Sequence, residues 1–163
     1  MRRSLTAAIL FLILAATASS AFGQAPSLSG VMEANKIVLD EKNREIAVPA
    51  EKVYPLDTLE YTLRYRNIGS APASGVTLIG PVPAGTVYLD RTATDVKGLH
   101  PIFSIDGGKA YQEAPVYYVV INEKGEEERK EATPDMITHV QWIMGESLDV
   151  GHEVTVSYRV QVK

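Results

Sequence analysis

The sequence predicts an all-β protein, an antiparallel β-sandwich. Three observations carry that prediction. First, two long stretches alternate strictly. In Thr58–Asn67, Leu59, Tyr61, Leu63 and Tyr65 fall on one face and Thr58, Glu60, Thr62, Arg64 and Arg66 on the other. Near the end, Val154, Val156, Tyr158, Val160 and Val162 alternate with Glu153, Thr155, Ser157, Arg159 and Gln161. Strand side chains point to opposite faces in turn, so each stretch reads as a half-buried strand. Second, several shorter β-branched and aromatic runs lie between Pro- and Gly-rich turns, the punctuation of a sandwich. Third, no stretch beyond residue 23 has helical spacing over ten residues.

Taken in order, the chain opens MRRSLTAAILFLILAATASSAFG. Arg2 and Arg3 form a basic head, Leu5 to Ala16 is apolar apart from Thr6, and small residues follow. This is the layout of a secretory signal peptide. The apolar run is shorter than the roughly 20 residues a membrane-spanning helix needs. Ala21 and Gly23 suit the peptidase, so residues 1–23 are expected to be removed before Gln24, with cleavage after Ala21 or Ala25 as alternatives. Residues 24–163 then form one domain. Its expected strands are Lys36–Leu39, with Val31–Ala34 leading into it, then the alternating Thr58–Asn67, Gly75–Ile79 and Thr86–Leu89. Ile102–Ile105 is expected to pair with Lys109–Tyr111 across Asp106-Gly107-Gly108. Val116–Ile121, Thr138–Met144 (with Val140 and Trp142 on one face) and the final Val-rich run complete the set. The charged stretch Asn122–Glu131 reads as a solvated hairpin end that keeps a sheet edge from aggregating. Gln24–Ile37 is a candidate donated strand.

Composition narrows the function classes. The 16 basic residues fall to 14 once Arg2 and Arg3 go, against 20 acidic, so the net charge moves from −4 to −6. A mildly acidic chain has no electrostatic pull toward nucleic acid or anionic lipid. There is no cysteine, hence no disulfide framework and no thiol for a lipid anchor. No second long apolar segment follows, so no transmembrane segment is expected in the mature chain.

Three segments together resemble the bacterial conserved-repeat domain, also called the domain of unknown function eleven: LDTLEYTLRYRNIGSAPASGV, GPVPAGTVYL and ITHVQWIMGESLDVGHEVTVSYRVQV. The family outline is a turn, a Tyr-rich strand, an Asn-x-Gly turn, a small-residue loop, a Pro-x-Gly link and a Val-rich ending. Pro55-Leu56-Asp57 and Asp149-Val150-Gly151 depart from its usual Pro-Gly turns. The resemblance implies an immunoglobulin-like sandwich in an exported, periplasmic or cell-surface protein of a bacterium. It transfers no catalytic residue.

The chemistry-bearing residues fit that picture. Ser104-x-Asp106-x-Gly108-x-x-Tyr111 resembles the Asp-box of sialidases and related propellers, where it braces a hairpin; a single copy here is expected to do the same. Asp90, Asp95, Asp106 and Glu113 are the carboxylates nearest to aromatic residues, and all sit beside turns, where Asp bonds local backbone. His100, His139 and His152 lie in separate segments without metal-ligand spacing, and His139 is expected to face outward. Trp142, Tyr61, Tyr65 and Tyr158 are expected in the core, with Trp142 as the plug between sheets. Tyr111, Tyr117 and Tyr118 are the aromatics available for binding. We therefore expect no catalytic residue, no cofactor and no metal site. The expected role is structural or binding, in adhesion or assembly, with a protein of the cell envelope as partner. The alternatives are a carbohydrate- or calcium-binding accessory module and, behind it, a glycan hydrolase.

Overall fold

The computed structural model describes residues 24–163, so the signal peptide expected at 1–23 lies outside the described residues. Ten strands and one short 3-10 turn make up the fold: β1 (Leu28–Leu39), β2 (Glu45–Pro49), β3 (Thr58–Asn67), β4 (Thr77–Pro81), β5 (Thr86–Tyr88), β6 (Pro101–Ser104), β7 (Tyr117–Ile121), β8 (Glu127–Glu131), the turn Pro134–Met136, β9 (His139–Ile143) and β10 (Glu153–Val162). One sheet runs β2-β1-β3-β10-β5, a second runs β4-β9-β6, and β7-β8 form a separate two-stranded ribbon. Every pairing is antiparallel. The two sheets make the antiparallel sandwich that the alternation predicts. Setting aside the outermost β2, four strands face three, the division of a constant-type immunoglobulin domain. The last strand, β10, lies between β3 and β5 in the larger sheet, whereas such a domain puts it in the smaller one.

The two alternating stretches are the centre of the larger sheet. Register places Leu59 opposite Val160, Tyr61 opposite Tyr158 and Leu63 opposite Val156, so one face of both strands points into the core. Leu78, Phe103, Val140 and Trp142 close it from the smaller sheet. Trp142 is fully buried, and its indole N–H donates to the Thr94 carbonyl at 2.7 Å, so the ring fills space without stranding its polar atom. Tyr158 is also fully buried, stacks on Tyr61 at 5.5 Å and donates its hydroxyl to the Pro81 carbonyl. Burial pushes its hydroxyl pKa far above the ordinary tyrosine range. Gly80 lets that ring approach: a Cβ there would clash with the Tyr158 ring.

Several elements differ from expectation. β1 is one continuous 12-residue strand and pairs with β3 from Leu28 to Ile37. The segment proposed for donation is thus already used within its own sheet. β2 has no counterpart in the sequence reading. On the inner face, Leu28, Met32 and Ile46 remain exposed, because the smaller sheet does not extend over this side. These strands are held by ladder bonds rather than by a buried apolar face, so their sequence lacks alternation. Tyr61 and Tyr65, at the same border, are only partly buried. Asn122–Glu131 divides into a turn and a true strand, β8, whose five residues EERKE are all exposed. Lys109–Tyr111 forms no strand; the return from β6 reaches it only at the Phe103–Gln112 bridge.

Among the described residues, no helix is long and apolar enough to cross a membrane.

Candidate functional site

The four carboxylates divide between two places. Asp106 closes the turn after β6. One of its oxygens accepts the Ser104 hydroxyl at 2.7 Å and the backbone N–H groups of Lys109 and Ala110 at 3.0 Å each. Ser104 in turn accepts from Gly108 N–H at 2.9 Å. Gly107 and Gly108 both take positive φ, at 80° and 85°, a conformation that glycine reaches without a Cβ penalty. The Tyr111 hydroxyl packs against Gly108, 3.1 Å from where a Cβ would stand, and the His139 ring lies against the same glycine. His139 is therefore half-covered by this turn, where the sequence reading expected it to face water. The Ser104 hydroxyl and one Asp106 oxygen are spent on the loop itself.

These bonds hold the Asp106 carboxyl below the usual carboxylate range, the Ala110 N–H first and the Ser104 hydroxyl second. A depressed native pKa contributes stability above the unfolded-state value near 4 that fades as pH falls through the native value. Asp106→Ala is expected to lower the thermal midpoint at pH 7. The gap to the parent protein should narrow below pH 4. A gap independent of pH would show that the carboxylate charge is not what braces the turn.

The other three carboxylates meet at one cleft. After β5 the chain continues along β10: Leu89 N–H donates to Arg159 C=O, the Thr92 hydroxyl accepts Arg159 N–H at 3.0 Å, and the Thr94 hydroxyl accepts Ser157 N–H at 2.8 Å. This path brings Asp90, Arg91 and Asp95 to the rim of a cleft between β5 and β6, and Glu113 lines the same cleft. It has two lobes, of about 370 and 590 Å³, which share Tyr88, Asp90, Arg91, Phe103 and Ala114. Of the four carboxylates nearest to aromatic residues, the fold brings Asp90, Asp95 and Glu113 to one place and leaves Asp106 in its own turn. Their charges are partly answered locally: Arg91 Nε lies 3.3 Å from Asp90, and His100 Nδ1 lies 2.6 Å from Asp95. Among the described residues, no group of three or more His, Cys, Asp or Glu is arranged to hold a metal ion.

The cleft floor is made of core side chains. Tyr88 and Phe103 are 3% and 7% exposed, with ring centres 5.3 Å apart. They offer little open face on which a sugar ring could stack. The Tyr88 hydroxyl is buried without a hydrogen-bond partner; Thr92 and Ala93 lie near it without completing bond geometry. Burial raises its pKa. A buried unpaired hydroxyl costs stability. Tyr88→Phe is expected to raise stability by about 1 kcal/mol, read from denaturant midpoints. A loss instead would mean that the hydroxyl bonds Thr92 or Ala93 in solution.

The remaining site is the β7–β8 ribbon. Val116 C=O accepts Ala132 N–H and Asn122 N–H donates to Glu126 C=O, which fixes the ladder parity. Tyr118 and Val120 exchange bonds with β8, while the backbone groups of Tyr117, Val119 and Ile121 point to the opposite edge. Tyr117 and Tyr118 thus send their rings to opposite faces, as expected for adjacent strand residues, and the Arg129 guanidinium stacks on Tyr117 at 3.8 Å. At the edge, Gln112 takes up Tyr117: its amide nitrogen donates to Tyr117 C=O at 2.9 Å and its amide oxygen accepts Tyr117 N–H at 3.3 Å. The Gln112 backbone exchanges two bonds with Phe103, so one residue covers the edges of both β6 and β7. Val119 and Ile121 remain, 59% and 65% exposed, with side chains on one face.

The other sheet edges are blunted. β2 carries Glu45 and Pro49, β4 ends on Pro81, β5 has three residues, β6 starts at Pro101 and β8 is wholly charged. These are the usual protections against edge pairing. Val119–Ile121 has none.

No family model matches the chain, and no curated protein matches it.

Proposed function

We propose that this chain is a non-catalytic exported module of the bacterial cell envelope, of the conserved-repeat kind, which assembles with a protein partner by adding a strand to β7. The observation that carries this reading is the free, uncharged edge at Val119 and Ile121 on a ribbon that stands apart from both sheets. Strand addition draws affinity from backbone hydrogen bonds and specificity from alternate side chains, and this edge offers both. One oxygen of the Asp-box carboxylate holds its own turn together, which supports reading the motif as a hairpin brace. The order of the Tyr-rich strand, the Pro-x-Gly link and the Val-rich ending supports the family assignment and, with it, an envelope location.

The test is photo-crosslinking in the producing cell from a reactive residue placed at Val119, compared with one at Val150, which is exposed on a loop elsewhere. The expected result is an exported chain that forms discrete adducts from position 119 only. Retention in the cytosol, or equal adducts from both positions, would overturn the proposal.

A further inference from the structure

We infer that the strand added to β7 is β7 of a second copy of this chain. The inference rests on the strand-addition reading and names the occupant of that edge. The free edge is two residues long, because Gln112 already occupies the outward groups of Tyr117. A second β7 approaching antiparallel about a dyad through Val120 places Val119 opposite Ile121 of the other copy, and Ile121 opposite its Val119. Both are pairs of outward-facing residues. Each pair exchanges two backbone bonds, so four bonds satisfy all the free donors and acceptors on the two edges.

The lengths also agree. In this register the position opposite Tyr117 falls at residue 123 of the other copy, beyond the end of β7 at Ile121. Each incoming strand therefore runs out where Gln112 supplies the pairing instead. A longer foreign strand would have to displace that amide or stop short.

The seam is apolar on both faces. Val119 and Ile121 of the two copies form one row, and Val120 meets Val120 at the dyad on the other. β7 carries no charge, so no like charges face each other across the seam. The charged β8 strands become the outer edges of a four-stranded sheet, where their charges again discourage further pairing. The contact closes on itself, as an isologous interface does. It is small beside the 1,200 Å² or more of a standard stable interface, so the dimer is expected to be weak and concentration-dependent.

Sedimentation of the purified domain up to about 1 mM tests this, together with hydrogen exchange at the Val119 and Ile121 amides. The expected result is a reversible monomer–dimer equilibrium, with exchange at these two amides slowing as concentration rises. Val119→Lys, which puts a charge at the seam from an exposed position, should weaken association at least roughly tenfold while the thermal midpoint stays put. Val119→Pro, which deletes an N–H that bonds nothing within the chain, should do the same. Ile79→Lys on the β4 edge should leave association unchanged. A monomer throughout the range, or a dimer indifferent to Val119→Lys, overturns the inference. If the domain stays monomeric while position 119 crosslinks to a different protein in cells, self-pairing fails and the strand-addition reading stands. If neither occurs, both fail.

Discussion

Trp142→Ala is expected to destabilise the domain by about 3–5 kcal/mol, the range for removing a large buried aromatic. The indole is fully buried between β10 and the smaller sheet, beside Tyr158 at 6.2 Å. Its loss opens a cavity that Leu78, Val140 and Phe103 cannot fill without leaving their strand registers. It also strands the Thr94 carbonyl, which accepts the indole N–H, at the segment that leads from β5 to the cleft. For a domain of this size the fall in thermal midpoint should be roughly 10 °C. Urea midpoints with an unchanged denaturant slope would confirm that the native state alone is affected. An unchanged midpoint would place the ring outside the core.

Asn67→Ala should cost about 3 kcal/mol or more, which is large for a residue with so small a side chain. Asn67 is fully buried. Its amide nitrogen donates to the Ala71 and Leu148 carbonyls at 2.8 and 2.9 Å, and its oxygen accepts Gly69 N–H at 3.0 Å. Alanine would leave three backbone groups to find new partners, each costing roughly 1–3 kcal/mol when buried and unpaired. The damage would spread, because Ala73 and Leu148 exchange two backbone bonds beside it and tie the loop after β3 to the loop before β10. Denaturant midpoints measure the loss. A cost under about 1 kcal/mol, typical of a surface change, would show that water replaces the amide.

The sequence made the core legible where burial enforced a pattern. Leu59 to Tyr65 and Val154 to Val162 alternate because one face of each meets the other sheet. Trp142 was identifiable as the plug for the same reason. β1 was legible only in pieces, as Lys36–Leu39 with Val31–Ala34 leading into it, and β2 not at all, because the smaller sheet leaves Leu28, Met32 and Ile46 uncovered. β8 escaped for a different reason: EERKE has little strand preference of its own, and its conformation is imposed by the ladder to β7. Asn67 looked like an ordinary turn residue; its partners Ala71 and Leu148 are four and eighty-one positions away, and the distant one is set by topology. The gathering of Asp90, Asp95 and Glu113 at one cleft likewise depends on how the segment after β5 follows β10. Tyr117 and Tyr118 drew attention to the right segment, but the parity that frees Val119 and Ile121 follows from the turn at Asn122–Glu126, which composition does not reveal.

Gln112 has a consequence beyond its four hydrogen bonds. YYVVI is short, apolar and free of proline, the makeup of segments that stack into cross-β fibrils. With the amide in place, a visiting strand finds two residues to grip and can leave again. Without it, the open edge would lengthen to include Tyr117, and each visitor would be held by one more pair of bonds. One side-chain amide thus sets the difference between a contact that exchanges and a template that grows. That restraint is built into the fold itself, in a single side chain.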